Sequence, residues 1–95
     1  MAIKNSKSKQ LFTIAKSLMP GGVNSPVRSF KSVGGTPHFM VKGDGPFIYD
    51  ADGNEFLDFT GSWGPLILGH SNPKIKTAIK DAVDKGTTFG TPTKK

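Results

Sequence analysis

Proline and glycine interrupt this chain so often that no long regular element fits into it. Seven prolines and twelve glycines stand among its 95 residues. The densest stretch runs from Pro20 to Pro37 and holds three of the prolines and four of the glycines. Apolar residues recur through it, which disfavours a flexible linker, because flexible linkers are rich in serine or charge. Loops of this length are uncommon unless they are functional or linkers, so the stretch predicts an ordered loop.

The chain length leaves little margin for independent stability. At this size the apolar surface buried on folding roughly offsets the conformational entropy that folding removes. Glycine-rich loops make the balance worse, because they bury little surface and cost more to order. We therefore expect the chain to depend on further protein, either a partner subunit or another part of itself.

Several classes of protein are excluded by composition. The chain has no cysteine, which removes disulfide scaffolds and thiolate metal sites. No apolar run approaches the roughly 20 residues of a membrane span. The first ten residues contain lysine but no apolar segment, so they do not form a secretory signal. These features predict a cytoplasmic protein that does not enter a membrane.

Positive charge is concentrated in the first half of the chain. Residues 1–48 carry seven basic residues and one acidic residue, whereas residues 49–95 carry six of each sign. Four of those seven are lysines in or near the first predicted helix. There is no arginine cluster and no alternation of basic and aromatic residues, as strand-binding proteins have. The charge therefore indicates a solvated face rather than a nucleic-acid partner.

Apolar periodicity predicts two helices, at about residues 8–18 and 73–85. In each of them apolar residues recur at i, i+3, i+4 and i+7, which places them on one helical face. Standard boundary residues flank both helices. These are Ser6 or Ser8 as the first N-cap, Pro20 after the first helix, Asn72 and Pro73 at the second start, and Gly86 after the second end.

Residues 38–59 predict three short strands in an antiparallel meander, at about 38–42, 47–49 and 55–59. The Asp52-Gly53 pair between the last two is typical of a turn that needs a positive φ. The predicted fold class is therefore α+β: an N-terminal helix, a long ordered loop over residues 20–37, the three-stranded meander and a second helix.

Two residues are candidates for binding because each is the only one of its type. Arg28 lies in a proline-flanked loop, and its guanidinium can bind a carboxylate or phosphate through two parallel hydrogen bonds. The alternative is an exposed loop charge. Trp63 stands between glycines, serine and proline, whose small size lets a ligand approach the ring. The alternative is an anchor in a core or an interface.

The other polar residues give no catalytic constellation. The two histidines are not spaced as metal ligands are, so no metal is expected. We expect His70 to be a structural residue that forms hydrogen bonds. The acidic residues of the meander lack the spacing of a calcium loop and predict a solvated hairpin. These acidic residues are Asp50, Asp52, Glu55 and Asp58. No nucleophile–base pair or nucleotide phosphate loop is present, so the residues alone do not indicate an enzyme.

Several motifs resemble the glutamate-1-semialdehyde 2,1-aminomutase family. The run from Leu18 to Phe30, LMPGGVNSPVRSF, is similar to the N-terminal signature of that family, and so is the run SWGP at residues 62–65. The hairpin and the Gly-His-x-x-Pro segment are shared more widely among pyridoxal-phosphate aminotransferases. Other matching runs are VGGTP at 33–37, DADGN at 50–54 and FGTP at 89–92.

The resemblance implies one segment of a larger aspartate-aminotransferase-like α/β fold that works as a homodimer. The family converts glutamate-1-semialdehyde to 5-aminolevulinate, the precursor of haem and other tetrapyrroles, through pyridoxal and pyridoxamine phosphate. No lysine of this chain matches the family's Schiff-base lysine, and the large cofactor-binding domain would follow Lys95. We therefore expect residues 1–95 to be inactive alone.

The resemblance also assigns site residues. It implies that Arg28 binds the substrate carboxylate, that Ser25 lies near that carboxylate and that Trp63 lines the substrate pocket. It places Thr88, Phe89 and Gly90 before the active-site region, near the dimer interface. Two alternative functions remain open, a related pyridoxal-phosphate aminotransferase with another substrate and a truncated, non-catalytic interaction module.

Overall fold

A computed structural model describes residues 2–94 of the chain. It contains two α-helices, a three-stranded antiparallel sheet and three short 3-10 turns, which confirms the α+β organisation. The helices are α1 (Ser6–Leu18) and α2 (Pro73–Val83), and the strands are β1 (Met40–Asp44), β2 (Phe47–Asp50) and β3 (Glu55–Leu57). The 3-10 turns are Pro20–Gly22, Pro26–Ser29 and Gly61–Trp63.

The N-terminus of α1 is capped from the sheet. The carboxylate of Asp52, in the turn between β2 and β3, accepts hydrogen bonds from the N–H groups of Lys7 at 2.7 Å and Ser8 at 2.9 Å. The Ser6 hydroxyl donates to the same carboxylate, and the Ser8 hydroxyl accepts from the N–H of Phe39. The prediction that Ser6 or Ser8 caps α1 is therefore wrong. The long-range cap joins α1 to the sheet and lets the helix begin two residues before the predicted residue 8.

The strands are paired in the order β1-β2-β3, with boundaries that differ from the predicted ones. Gly43 does not end the first strand but pairs with Ile48, so β1 covers residues 40–44 instead of 38–42. β2 extends one residue further than predicted, to Asp50. β3 ends at Leu57 rather than residue 59, because the Asp58 carboxylate accepts hydrogen bonds from two later N–H groups and turns the chain.

α2 begins as its sequence predicts. The side chain of Asn72 accepts hydrogen bonds from the N–H groups of Lys74 at 3.0 Å and Ile75 at 3.4 Å, which confirms it as the N-cap. The helix ends at Val83, two residues before the predicted end, because the last hydrogen bonds span three residues and tighten the chain into a turn. Gly86 completes that turn with a φ of +105°, the left-handed conformation that glycine adopts without strain.

The chain buries few of its apolar side chains. Among the described residues the buried apolar side chains are those of Ala15, at 8% exposure, and Pro37, whereas the buried polar side chains are those of Ser8 and Asp50. The accessible surface is 7835 Å², against about 5,300 Å² expected for a compact monomer of this mass. This surplus agrees with the expectation that further protein covers the chain. Neither described helix is long and apolar enough to span a bilayer.

Candidate functional site

Arg28 lies on the 3-10 turn Pro26–Ser29, which directly follows Ser25. The carbonyl of Ser25 accepts a hydrogen bond from the Arg28 N–H at 3.0 Å, so both candidate residues belong to one turn. Pro26 fixes the first φ of the turn, and Phe30 ends it in the left-handed conformation at φ +61°. The local sequence thus places Arg28 and Ser25 on one backbone turn.

The guanidinium of Arg28 is exposed and has one neutral partner. Its Nη1 donates to Oδ1 of Asn24 at 3.2 Å. Within the part of the chain that the structure describes, the ion pairs involve His38, Lys42 and His70 but not Arg28. Within residues 2–94 its remaining N–H donors therefore have no carboxylate partner, which is the state required to receive a carboxylate from a ligand.

A groove beside Arg28 separates α1 from the start of the sheet. Its walls come from the C-terminal half of α1, the Pro20–Arg28 loop and the residues that enter β1. Gly22 makes the close approach of loop and helix possible, since a Cβ at this position would lie 2.7 Å from the ring of Phe12. The lack of a side chain at Gly22 therefore lets the loop before Arg28 lie against α1.

Trp63 lies at the end of the turn Gly61–Trp63, in a run of left-handed backbone. Residues 61, 62, 63 and 64 have φ values of +54°, +54°, +67° and +106°. The Trp63 side chain is 73% exposed. Trp63 is not among the residues that line the Arg28 groove.

Asp58 and His70 form a short hydrogen bond behind the Trp63 turn. His70 Nε2 donates to Asp58 Oδ2 at 2.6 Å, which confirms His70 as a structural hydrogen-bonding residue. The other carboxylate oxygen, Oδ1, accepts from the N–H groups of Thr60 at 2.8 Å and Gly61 at 3.1 Å. The hydrogen bond from His70, followed by those two N–H groups, lowers the pKa of Asp58 below its ordinary value.

A second hydrogen-bonded pair joins His38 to Asp50, a residue with 2% of its surface exposed. Asp50 Oδ1 accepts from the N–H groups of Asp52 and Asn54, and Oδ2 accepts from the Asn54 amide and from His38 Nδ1 at 2.8 Å. Burial raises the pKa of Asp50, but the hydrogen bonds, those from Asn54 first, outweigh it and leave the pKa lowered.

The prediction of a solvated hairpin is therefore wrong for Asp50, Asp52 and Asp58, which are structural hydrogen-bond acceptors, whereas Glu55 is exposed. No local sequence signal marks Asp50 and Asp58, because each pairs with a histidine twelve residues away that only the fold brings into contact. No group of three potential ligands for a metal ion occurs among residues 2–94.

Thr88, Phe89 and Gly90 lie in the exposed chain after α2. They line a surface cavity together with Ala82, Gly86 and other residues of the same segment. The Phe89 ring lies against Gly86, where a Cβ would be 3.1 Å from it. These residues thus form a third surface, apart from the Arg28 groove and the Trp63 turn.

Residues 2–94 do not by themselves form a binding site for pyridoxal phosphate. Helix N-termini commonly bind phosphate through free N–H groups. The N-terminus of α1 is occupied by the Asp52 carboxylate, and that of α2 by Asn72 and Pro73. The Arg28 groove is lined by a single permanently charged side chain. The described chain can bind an anionic ligand at Arg28 but does not fit the cofactor.

Comparison with known proteins finds relatives that are much longer than this chain. The sequence profile of the class-III aminotransferases matches residues 30–95. The glutamate-1-semialdehyde 2,1-aminomutase of Thermodesulfovibrio yellowstonii is 58% identical over 91 residues, which is 96% of this chain and 21% of the relative. That of Heliobacterium modesticaldum is 55% identical over 87 residues, which is 92% of this chain and 20% of the relative.

Solved structures agree with the observed fold. A transaminase determined with PLP bound superposes with a TM-score of 0.84 and 39% identity, covering 98% of this chain and 21% of that one. The chain spans about a fifth of the length of the curated relatives it matches. In the solved transaminase the matching helices, loop and sheet are one part of a larger fold.

Proposed function

Because this chain belongs to the class-III aminotransferase family, we propose that it supplies the substrate side of an enzyme that converts glutamate-1-semialdehyde to 5-aminolevulinate. Two relatives that are more than half identical over nearly the whole chain bear the aminomutase name. The observation that carries the proposal is Arg28, an exposed guanidinium on a proline-fixed turn with no acidic partner in the described chain.

The substrate chemistry matches this side chain. Glutamate-1-semialdehyde has a carboxylate at the end opposite its aldehyde, and a guanidinium binds a carboxylate through two parallel N–H donors. Ser25, at the start of the same turn, offers a hydroxyl beside that carboxylate. Binding through Arg28 would orient the substrate by its non-reacting end. We assign to the exposed Trp63 ring the role of a pocket wall.

The cofactor belongs to the remaining four-fifths of the protein. Pyridoxal phosphate supplies the electron sink for moving an amino group, while the protein supplies orientation. Since residues 2–94 do not fit the cofactor, the role of this chain is confined to binding and orienting the substrate. The exposed apolar side chains of α2 and its following segment support a covered position in the assembly. We propose a cytoplasmic homodimer in which Thr88, Phe89 and Gly90 lie near the subunit interface.

The test is turnover by the full-length protein that contains this segment. With glutamate-1-semialdehyde as the sole substrate and no external amino donor or acceptor, we expect 5-aminolevulinate, identified by chromatographic separation against an authentic standard, because the two isomers have the same mass. Turnover that requires an added amino donor or acceptor would instead identify an aminotransferase with another substrate. Absence of turnover with either kind of substrate would favour a non-catalytic interaction module.

A further inference from the structure

We propose that Asp58 and His70 are positioning residues that hold Trp63 in its place through the backbone of the turn between β3 and α2. The proposal rests on the function proposed above only in that it gives Trp63 a place in the substrate pocket. Its structural basis is the hydrogen-bonded connection from the sheet, through His70 and Asp58, to the turn that carries Trp63.

The Trp63 turn has a backbone that the sequence does not favour by itself. Gly61, Ser62, Trp63 and Gly64 all have positive φ values. Glycine adopts that conformation readily, whereas serine and tryptophan do so rarely, because their Cβ atoms crowd the backbone. Strained segments of this kind persist only where the surrounding structure determines them, and they are concentrated at functional sites.

The Trp63 side chain does not hold the turn itself. It is 73% exposed, and the ring contacts of the described residues involve other aromatic side chains. The turn's own backbone hydrogen bonds, from Trp63 N–H to Thr60 and from Gly64 N–H to Gly61, are about 3 Å long. The position of the indole ring is therefore set by how the backbone of this turn is attached to the rest of the chain.

Asp58 provides that attachment with both carboxylate oxygens. Oδ1 accepts from the two N–H groups that open the turn, those of Thr60 and Gly61. Oδ2 accepts from His70 at 2.6 Å. The side chain of Asp58 is 9% exposed and that of His70 is 19% exposed. Both oxygens are engaged and nearly covered, which favours a positioning role over proton transfer to a substrate.

His70 is in turn fixed to the sheet. It exchanges two backbone hydrogen bonds with Gly45, at 3.0 Å and 2.8 Å, in the turn that joins β1 to β2. Its ring lies directly over Gly43, where a Cβ atom would come within 2.5 Å of Nδ1. The neighbouring Ser71 hydroxyl donates to the Gly43 carbonyl at 2.8 Å. Trp63 is thus linked to β1 by one short series of contacts.

The experiment uses the full-length protein labelled with 5-fluorotryptophan. The ¹⁹F resonance of Trp63 is assigned by its loss in Trp63→Phe. We expect Asp58→Asn and His70→Ala to shift or split that resonance, because the first weakens and the second removes the hydrogen bond that joins Asp58 to His70. His70→Gln, whose amide can reach Asp58 as Nε2 does, should return the resonance towards its original position.

Asp50→Asn is the matched control, because it weakens the equivalent histidine–aspartate pair on the same sheet without touching the Trp63 turn. The Trp63 resonance should stay in place in this variant. If Asp58→Asn does not fold, the resonances of His70→Ala and His70→Gln test the proposal without it. An unmoved Trp63 resonance in folded His70→Ala contradicts the proposal, and so does an equal displacement in Asp50→Asn, which would indicate a general loss of stability.

Kinetics give an independent measurement. His70→Ala should lower kcat/KM for glutamate-1-semialdehyde by about 10- to 100-fold, the range expected when a binding group moves by roughly 1 Å. His70→Gln should recover most of that loss. A wild-type protein that does not turn over this substrate would refute the proposed function alone, since the ¹⁹F measurement needs no substrate.

Discussion

Replacing Gly43 with alanine tests the steric basis of the contacts behind Trp63. The φ of Gly43 is not positive, so alanine can adopt this backbone conformation without strain. Any effect of the added methyl group therefore comes from its contacts with neighbouring atoms. The new Cβ would lie 2.5 Å from Nδ1, 2.6 Å from Cγ and 2.8 Å from Cβ of His70. All three distances are far below van der Waals contact, so the two residues cannot both keep their positions.

The required movement follows from these distances. Ordinary contact begins near 3.4 Å, so the His70 ring must retreat by about 0.9 Å from the 2.5 Å approach. The ring is held at its other edge by Asp58 at 2.6 Å, and its backbone is paired with Gly45. We expect Gly43→Ala to lower the free energy of unfolding by roughly 1–3 kcal/mol, the usual cost of overpacking.

A double-mutant cycle separates the clash from other effects of the methyl group. In a His70→Ala background there is no ring to displace, so Gly43→Ala should cost much less there than in the wild type. The free energies are measured by urea denaturation of the four proteins. Equal costs of Gly43→Ala in both backgrounds would refute the reasoning, because they would show that the methyl group does not act through His70.

Three further predictions concern the attachments of the two helices and the turn between β2 and β3. Partial burial raises the pKa of Asp52, but hydrogen bonds from Lys7 and Ser8 outweigh it and lower the pKa from 3.8 to about 2. The cap therefore stabilises fully above about pH 4 and is lost as the pH falls towards 2, so the melting temperatures of Asp52→Asn and wild type should differ at pH 7 and converge near pH 2. A constant difference would contradict this. Asn72→Ala should destabilise α2 by about 1 kcal/mol, seen as faster amide exchange at Lys74, and unchanged exchange would show that the cap is dispensable. Asp50→Ala leaves buried N–H donors without an acceptor and should cost at least about 2 kcal/mol in urea denaturation, and a neutral result would show that water replaces the carboxylate.

The features that could be predicted from the sequence are those that neighbouring residues determine. α2 is an example, since Asn72, Pro73 and Gly86 lie next to the backbone groups that they affect. The glycine at position 53 is another, because its φ of +84° matches the turn that Asp-Gly indicates. In these cases the conformation that the neighbouring residues favour is the one that the folded chain adopts.

The features that were missed depend on residues brought together by the fold. The α1 cap comes from Asp52, 44 positions after Ser8. The predicted first strand stops before Gly43, whereas Gly43 pairs with Ile48 inside β1 and lies under the His70 ring. Asp50 and Asp58 read as solvated charges until their histidine partners are known, because alternation along a strand shows only which face a residue occupies.

The candidate site also has features that the sequence could predict and features that it could not. Arg28 and Trp63 could be singled out because each is unique in the chain, and the structure leaves both side chains exposed. Their roles toward a substrate came from resemblance and stay predictions. The connection from Trp63 to His70 could not be predicted, because a Gly-Ser-Trp-Gly segment gives no sign of the left-handed backbone that Asp58 holds.

The most direct test of the central claim is the KM for glutamate-1-semialdehyde in Arg28→Lys, measured in the full-length protein beside Lys31→Arg. Both variants keep the charge, and Lys31 is an exposed neighbour on the same loop. Arg28→Lys loses the paired donors of a charge-assisted contact, which corresponds to roughly 1.5–3 kcal/mol and about a 10- to 100-fold rise in KM. Lys31→Arg should leave KM unchanged. An unchanged KM and kcat/KM in Arg28→Lys would contradict the assignment of this segment as the substrate-binding side of the enzyme.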